Sequence, residues 1–142
     1  MKLMTRSRYA IRALLELAKQ PPGEVLSLSI IAKRQRIKPN YLEQILFRLR
    51  QANLIKGKKG PGGGFFLARD PKKIRLKDIF DSVGETTAPL QCLLGKADKY
   101  CARVTPCPMQ ECWHELKSEL DLFFSKHTLN DMCSRKTTLK KE

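Results

Sequence analysis

Histidine is scarce, with only two in 142 residues. No nucleophile–base spacing and no cofactor fingerprint stands out either. The chain therefore carries no sign of a catalytic centre. No apolar run approaches the length of a membrane span, so none is expected. The opening stretch MKLMTRSRYAIRALLELAKQ is basic and apolar, but Arg8, Arg12 and Glu16 interrupt it. It reads as a helix of the mature protein rather than a signal peptide. The expected compartment is the cytoplasm, where clustered cysteines serve as metal ligands or redox sensors more often than as disulfides. No internal repeat is visible. Acidic residues are nearly missing from the first 80 positions, which hold 5 of them against 19 lysines and arginines, a net of +14. Residues 81–142 hold nine of each, so the whole excess of positive charge belongs to the first part. Such asymmetry points to a polyanion, and nucleic acid is the first candidate.

That basic part has a readable order. A helix is expected from Thr5, as N-cap, to about Lys19, with Ala10, Leu14, Leu17 and Ala18 as its apolar stripe and Ile11 and Leu15 beside them. Pro21-Pro22-Gly23 ends it. Ser27 or Ser29 can cap a short second helix over about 29–35, with Ile30, Ile31 and Ala32 turned inward. Pro39 then suits the first turn of a third helix. There Leu42, Ile45, Leu46 and Leu49 repeat as one buried face. The other side carries Asn40, Tyr41, Glu43, Gln44, Arg48, Arg50 and Gln51. Two short helices joined by a tight turn at Arg36–Lys38, the second presenting amides and arginines, have the appearance of a helix-turn-helix. Asn and Gln can bond adenine edges, and Arg can bond guanine or phosphate. Lys38 at the turn joins this candidate set.

Two short strand patterns follow, Leu54–Lys56 and Gly64–Ala68, with Gly57–Gly64 between them. A glycine-dense basic turn between strands reads as a hairpin, and after a helix-turn-helix it reads as a wing. Lys58 and Lys59 can reach phosphate or the minor groove, and glycines at Gly60 and Gly62 beside Pro61 let backbone approach DNA. Leu76, Ile79, Phe80 and Val83 give a further short helix stopped by Gly84. Residues 85–111 lack periodicity. From Cys112 a seam of Trp113, Leu116, Leu120, Phe123 and His127 steps by three and four, as in a helix that pairs with a second copy. Thr128 can cap a last turn through Met132, and the polar tail from Cys133 is expected to be loose.

The stretch Arg8-Tyr9-Ala10-Ile11-Arg12-Ala13-Leu14, the stretch Tyr41-Leu42-Glu43-Gln44-Ile45-Leu46 with Leu49-Arg50, the run Lys59-Gly60-Pro61-Gly62-Gly63-Gly64-Phe65, and the later Trp113, Leu116, Leu120, Thr128-Leu129 and Asp131 carry a family likeness. On them the chain resembles the Rrf-two family of winged-helix regulators. The resemblance covers about residues 1–132. It implies a mainly α fold: a winged helix-turn-helix with a small β-hairpin wing and a long C-terminal dimerisation helix. The divisions expected are a DNA-binding domain over 1–84, a cysteine loop over 85–111, a dimer helix over 112–132 and a basic tail over 133–142. The resemblance further implies a homodimeric transcription factor, often a repressor, on a double-stranded operator. Asn40, Tyr41, Glu43 and Gln44 would face the major groove, and Lys59 to Gly62 would enter the minor groove.

Four of the five cysteines lie between Cys92 and Cys112. Sensor members of the family hold a 2Fe–2S or 4Fe–4S cluster on three cysteines, which the resemblance maps to Cys92, Cys101 and Cys107. The first interval is longer than the family's usual one. Soft thiolates suit iron–sulfur or zinc. Lys96, Lys99 and Arg103 would lower the thiol pKa values. The fourth ligand is open. The family's His position after the third cysteine is Gln110 here, and Arg8 and Arg12 cannot ligate from the first helix. Cys112, Glu111 and His114 are the local candidates, with Cys112 leading on its chemistry. The expected function is a regulator sensing iron–sulfur status, nitric oxide or redox state. The alternatives are a zinc site or thiol switch in the same loop, and a cluster-free regulator that docks on a metabolic enzyme.

Overall fold

A computed structural model describes residues 4–95, 101 and 107–135. Helix α1 runs Thr5–Ala18, α2 Leu28–Gln35 and α3 Pro39–Gln51. Strands β1 (Ile55–Lys58) and β2 (Gly64–Leu67) form an antiparallel hairpin. Helix α4 covers Leu76–Ser82, α5 Gln110–Lys126 and α6 Leu129–Ser134. A 3-10 turn at Pro71–Lys73 leads into α4, and another at Gln91–Leu94 lies in the cysteine loop.

The core is built where the apolar periodicity meets. Ala10, Leu14 and Leu17 of α1 pack with Ile31 of α2 and with Leu42, Ile45, Leu46 and Leu49 of α3. Leu76, Ile79 and Phe80 close it from α4 with Val83 just past its end, and all four are buried as the spacing requires. Ile37 is buried too, which pins the turn between α2 and α3 from inside. Arg36 makes that turn with φ +53°, a left-handed conformation unusual for a side-chain-bearing residue. Ile30 departs from expectation. It is 42% exposed, because α2 is short and turns Ile31 and Ala32, with Leu28 partly, to the core.

Capping differs at one end and agrees at others. Thr5 is the first helical residue of α1, not its cap; Met4 occupies that position, and its N–H donates to Glu85 Oε1 at 2.7 Å. Ser27 caps α2 by accepting from the Ile30 N–H, and Pro39 opens α3. Thr128 and Asp131 form a reciprocal capping box on α6, which runs on through Ser134 rather than stopping at Met132.

The wing is locked to the helices by a third strand-like contact. Leu26 and Phe65 exchange both backbone hydrogen bonds at 2.9 Å. Gly64 allows this approach, since a Cβ there would lie 2.5 Å from the Leu26 carbonyl oxygen. A Cβ on Gly63 would strike the Lys58 and Gly60 carbonyls. The hairpin pairs Ile55 with Leu67 and Lys58 with Gly64, so the first strand reaches two residues past its expected end and Lys58 lies on it. Helix α5 begins two residues before the expected Cys112.

Candidate nucleic-acid interface and cysteine cavity

Helix α3 divides cleanly. Its buried residues are Leu42, Ile45, Leu46 and Leu49. On the opposite side Asn40, Glu43, Gln44, Phe47, Arg48 and Gln51 line one open cleft, with Ser82 of α4 at its edge. Lys38, Asn40, Glu43, Gln44 and Arg48 are all exposed. Tyr41 differs: it is half-buried, with its ring edge-on to Tyr9 at 6.0 Å between centroids. Lys58, Lys59, Gly60, Pro61 and Gly62 are exposed along the wing. Gly60 and Gly62 have φ of +92° and +71°, which explains why this tip is glycine-rich. The sequence reading missed Phe47, which is 51% exposed in the middle of the outward face. Its place between Gln44 and Arg48, out of step with the buried positions, was the signal available.

The first helix of the motif, α2, is braced from behind by α1. The Arg12 side chain of α1 donates to Gln35 Oε1 at 2.8 Å and to the Gln35 carbonyl of α2, and lies over the Tyr9 ring. Glu16 of α1, nearly buried, accepts from Lys19 at 3.1 Å, Arg34 at 3.3 Å and Gln35 at 2.6 Å. Burial pushes the Glu16 carboxyl up, but these partners outweigh it and hold it below the usual carboxylate range. So Arg12, a position read only as unable to ligate metal, ties α1 to the end of α2.

The cysteine loop leaves the core through two buried side chains, Glu85 and Thr87. The Thr87 hydroxyl donates to Asp121 of α5, which also accepts from Lys117 at 2.8 Å and Lys77 at 3.5 Å. These bonds, that of Lys117 first, hold the Asp121 carboxyl down at about 2. The loop then brings Cys92, Cys101 and Cys107 to one small cavity of about 70 Å³. Leu93 lines it from the same loop, and Gln110, Trp113 and His114 line it from the first turns of α5. Helix periodicity explains that trio, since positions i, i+3 and i+4 share a face. Cys112, two residues past Gln110, points about 200° away round the helix. It is exposed and does not line the cavity. Glu111 does not line it either. Among the described residues, no three His, Cys, Asp or Glu side chains stand in a metal-holding arrangement. The thiols thus share a cavity without closing to ligand geometry. Lys96, Lys99 and Arg103 lie outside the described residues. Cys133, on α6, lines a separate cleft with Arg12, Glu16 and Gln35.

The family model described as Rrf2, iron-dependent transcriptional regulator, matches residues 3–135. The chain belongs to the Rrf2 family. It is 34% identical over 134 residues to the transcriptional regulator IscR of Cereibacter sphaeroides, covering 93% of this chain and 86% of that protein. IscR of Photobacterium profundum is 35% identical over 132 residues, covering 93% and 75%. Among solved structures, CymR, described as the global cysteine regulator of B. subtilis, superposes with a TM-score of 0.75 at 27% identity, covering 94% of this chain and 97% of that one. T. potens IscR gives 0.74 at 27% identity, covering 100% and 94%. The oxidized form of Staphylococcus aureus CymR gives 0.76 at 26% identity, covering 97% and 100%. As an Rrf2 protein the chain is a helix-turn-helix transcriptional regulator that binds DNA, and it is not an enzyme. The winged helix expected from its hairpin and helices is the fold it has. No helix among the described residues is long and apolar enough to cross a membrane.

Proposed function

We propose that this Rrf2 protein is a homodimeric cytoplasmic repressor that senses iron–sulfur status, nitric oxide or redox state through a labile iron–sulfur cluster. The observation that carries the proposal is the convergence of Cys92, Cys101 and Cys107 on one cavity against the start of α5. The donor set fits. Three soft thiols surround the cavity and no carboxylate lines it, which favours iron–sulfur over hard cations. Bound there, the cluster supplies a centre that oxidants and nitric oxide can destroy. Cys92, Cys101 and Cys107 are its thiolate ligands in this reading, and His114 supplies the fourth donor. The lining of the cavity supports His114 over Cys112, and an imidazole is a far better ligand than the Gln110 amide. Trp113 lines the same cavity beside them.

The output runs through the chain's own contacts. Binding at the cysteines acts on α5 at Cys107 and through the Thr87–Asp121 bond, and α5 packs on α4 through Phe124 against Phe80. Leu116, Leu122 and Phe123 are exposed on α5, and a second copy of the chain covers them. Shifting α5 then resets the spacing of two recognition helices on an operator with two half-sites. In this reading residues 1–84 bind DNA, Asn40, Glu43 and Gln44 meet base edges, and Lys58 to Gly62 follow the backbone and minor groove.

Anaerobic purification tests the proposal. The expected protein is coloured and contains stoichiometric iron and acid-labile sulfide. His114→Ala should change the reduced cluster's electron-paramagnetic spectrum and remove coupling to a histidine nitrogen, while Cys112→Ala leaves both alone. Colourless protein that cannot be reconstituted would end the cluster reading. The likeness to CymR, including its oxidized form, supports a second reading, a thiol switch on the same cysteines, beside which a zinc site is the other alternative. Zinc without sulfide would select the zinc site, and reversible loss of two free thiols without metal would select the thiol switch.

A further inference from the structure

The outward face of α3 holds one residue that does not belong on a solvent face. Phe47 is 51% exposed and stands between Gln44 and Arg48 on the polar side of the helix, within the cleft that Asn40, Glu43 and Gln51 also line. It is not a stray end of the core, because the buried stripe is complete without it. The Arg50 guanidinium stands 5.8 Å from its ring centroid, so a cation steadies the ring from one side.

We propose that Phe47 is a specificity-determining residue that reads the C5-methyl group of thymine. In a helix-turn-helix the second helix lies in the major groove with its N-terminal residues on base edges, and Phe47 stands one turn past Glu43 and Gln44 on the same outward face. The major-groove edges of the four base pairs are donors and acceptors, with one apolar feature among them, the thymine methyl. An apolar ring at the centre of an otherwise amide and charged row has that single complement among unmodified bases. Glu43, one turn earlier, fits the same placement: a carboxylate repels phosphates and can accept from cytosine N4, so this row faces bases rather than backbone. Asn40, Glu43, Gln44 and Phe47 then form a short mixed row of polar and apolar readers along one helix face.

The inference rests on α3 being the reading helix, and the test separates the two. The full-length protein is used to select binding sites from a random duplex library. Each thymine of the enriched site is then replaced by deoxyuridine, which keeps pairing and the O4 acceptor and loses only the methyl. One position per half-site should lose about three- to tenfold in affinity with wild-type protein, the order expected for one buried methyl. The same replacement should cost nothing in Phe47→Ala, and Phe47→Leu should retain part of the effect. Thermal unfolding of both variants checks that they fold. Uracil replacements that cost wild type and Phe47→Ala equally overturn the inference. So does a loss in Phe47→Ala that is uniform across sequences and accompanied by a change in oligomeric state, which marks a protein contact. A 5-methylcytosine that binds more tightly than thymine at that position overturns thymine as the target. Gln44→Ala is run alongside. If neither variant alters preference, α3 is not the reader; if only Gln44→Ala does, the role given to Phe47 alone is wrong.

Discussion

Gly64 shows how much a single position decides. Its missing Cβ lets Leu26 bond across to Phe65, and that bridge fixes the angle of the wing. Gly64→Ala is therefore expected to cost about 2 kcal/mol or more, because backbone must move. A urea midpoint that matches wild type within the scatter would contradict this. Lys59 acts differently. It is exposed on the wing, so Lys59→Ala should weaken binding to all duplexes alike and lower the salt slope by about one per protomer. Gln44→Ala should instead relax base preference. Competition with scrambled duplex distinguishes the two outcomes.

Helix α5 packs one side on the core and leaves apolar residues exposed on another, and this is where the sequence reading was least complete. The spacing from Trp113 to His127 gives a helix and its approximate limits. It does not say which apolar residues face inward, because Phe123 and Phe124 are adjacent and either satisfies a step of three or four. Phe124 is the buried one, packed on Phe80 at 4.5 Å between centroids, while Phe123 stays 49% exposed and stacks on His127. Phe124→Ala should cost about 3 kcal/mol in thermal or urea unfolding. Phe123→Ser should leave the protomer folded and reduce self-association, read by sedimentation at micromolar concentration. The same helix carries a pH signature. Asp121 is held down at about 2 by Lys117, Thr87 and Lys77. Its tie therefore contributes fully above the ordinary carboxylate range of about 4 and is lost as pH falls through about 2. Asp121→Asn should lower stability at neutral pH and flatten that acid limb of the stability curve.

For the whole molecule, charge and periodicity made the fold legible. Helices α1 to α4 and the hairpin follow from apolar spacing, Pro39, Gly84 and the wing glycines. The net +14 over residues 1–80 locates the basic side. The site was legible in part. Cysteine spacing alone gives no depth, so it could not say that Cys92, Cys101 and Cys107 share a cavity while Cys112 turns away. Gln110 and His114, on one helix face with Trp113, follow only once the start of α5 is fixed. The brace through Arg12 and Gln35 has no local sequence signal, since its partners are 23 positions apart.

The bond from Thr87 to Asp121 spans 34 positions. It closes the cysteine loop into a ring before any metal arrives. Part of the entropy of bringing Cys92 and Cys107 together is thus spent on folding, and the thiols meet at a raised effective concentration. Thr87 touches no candidate ligand, yet Thr87→Val should lower the affinity for iron or zinc in a chelator competition. On the proposed reading, the grip on the metal is set partly at a tie that lies outside its ligands.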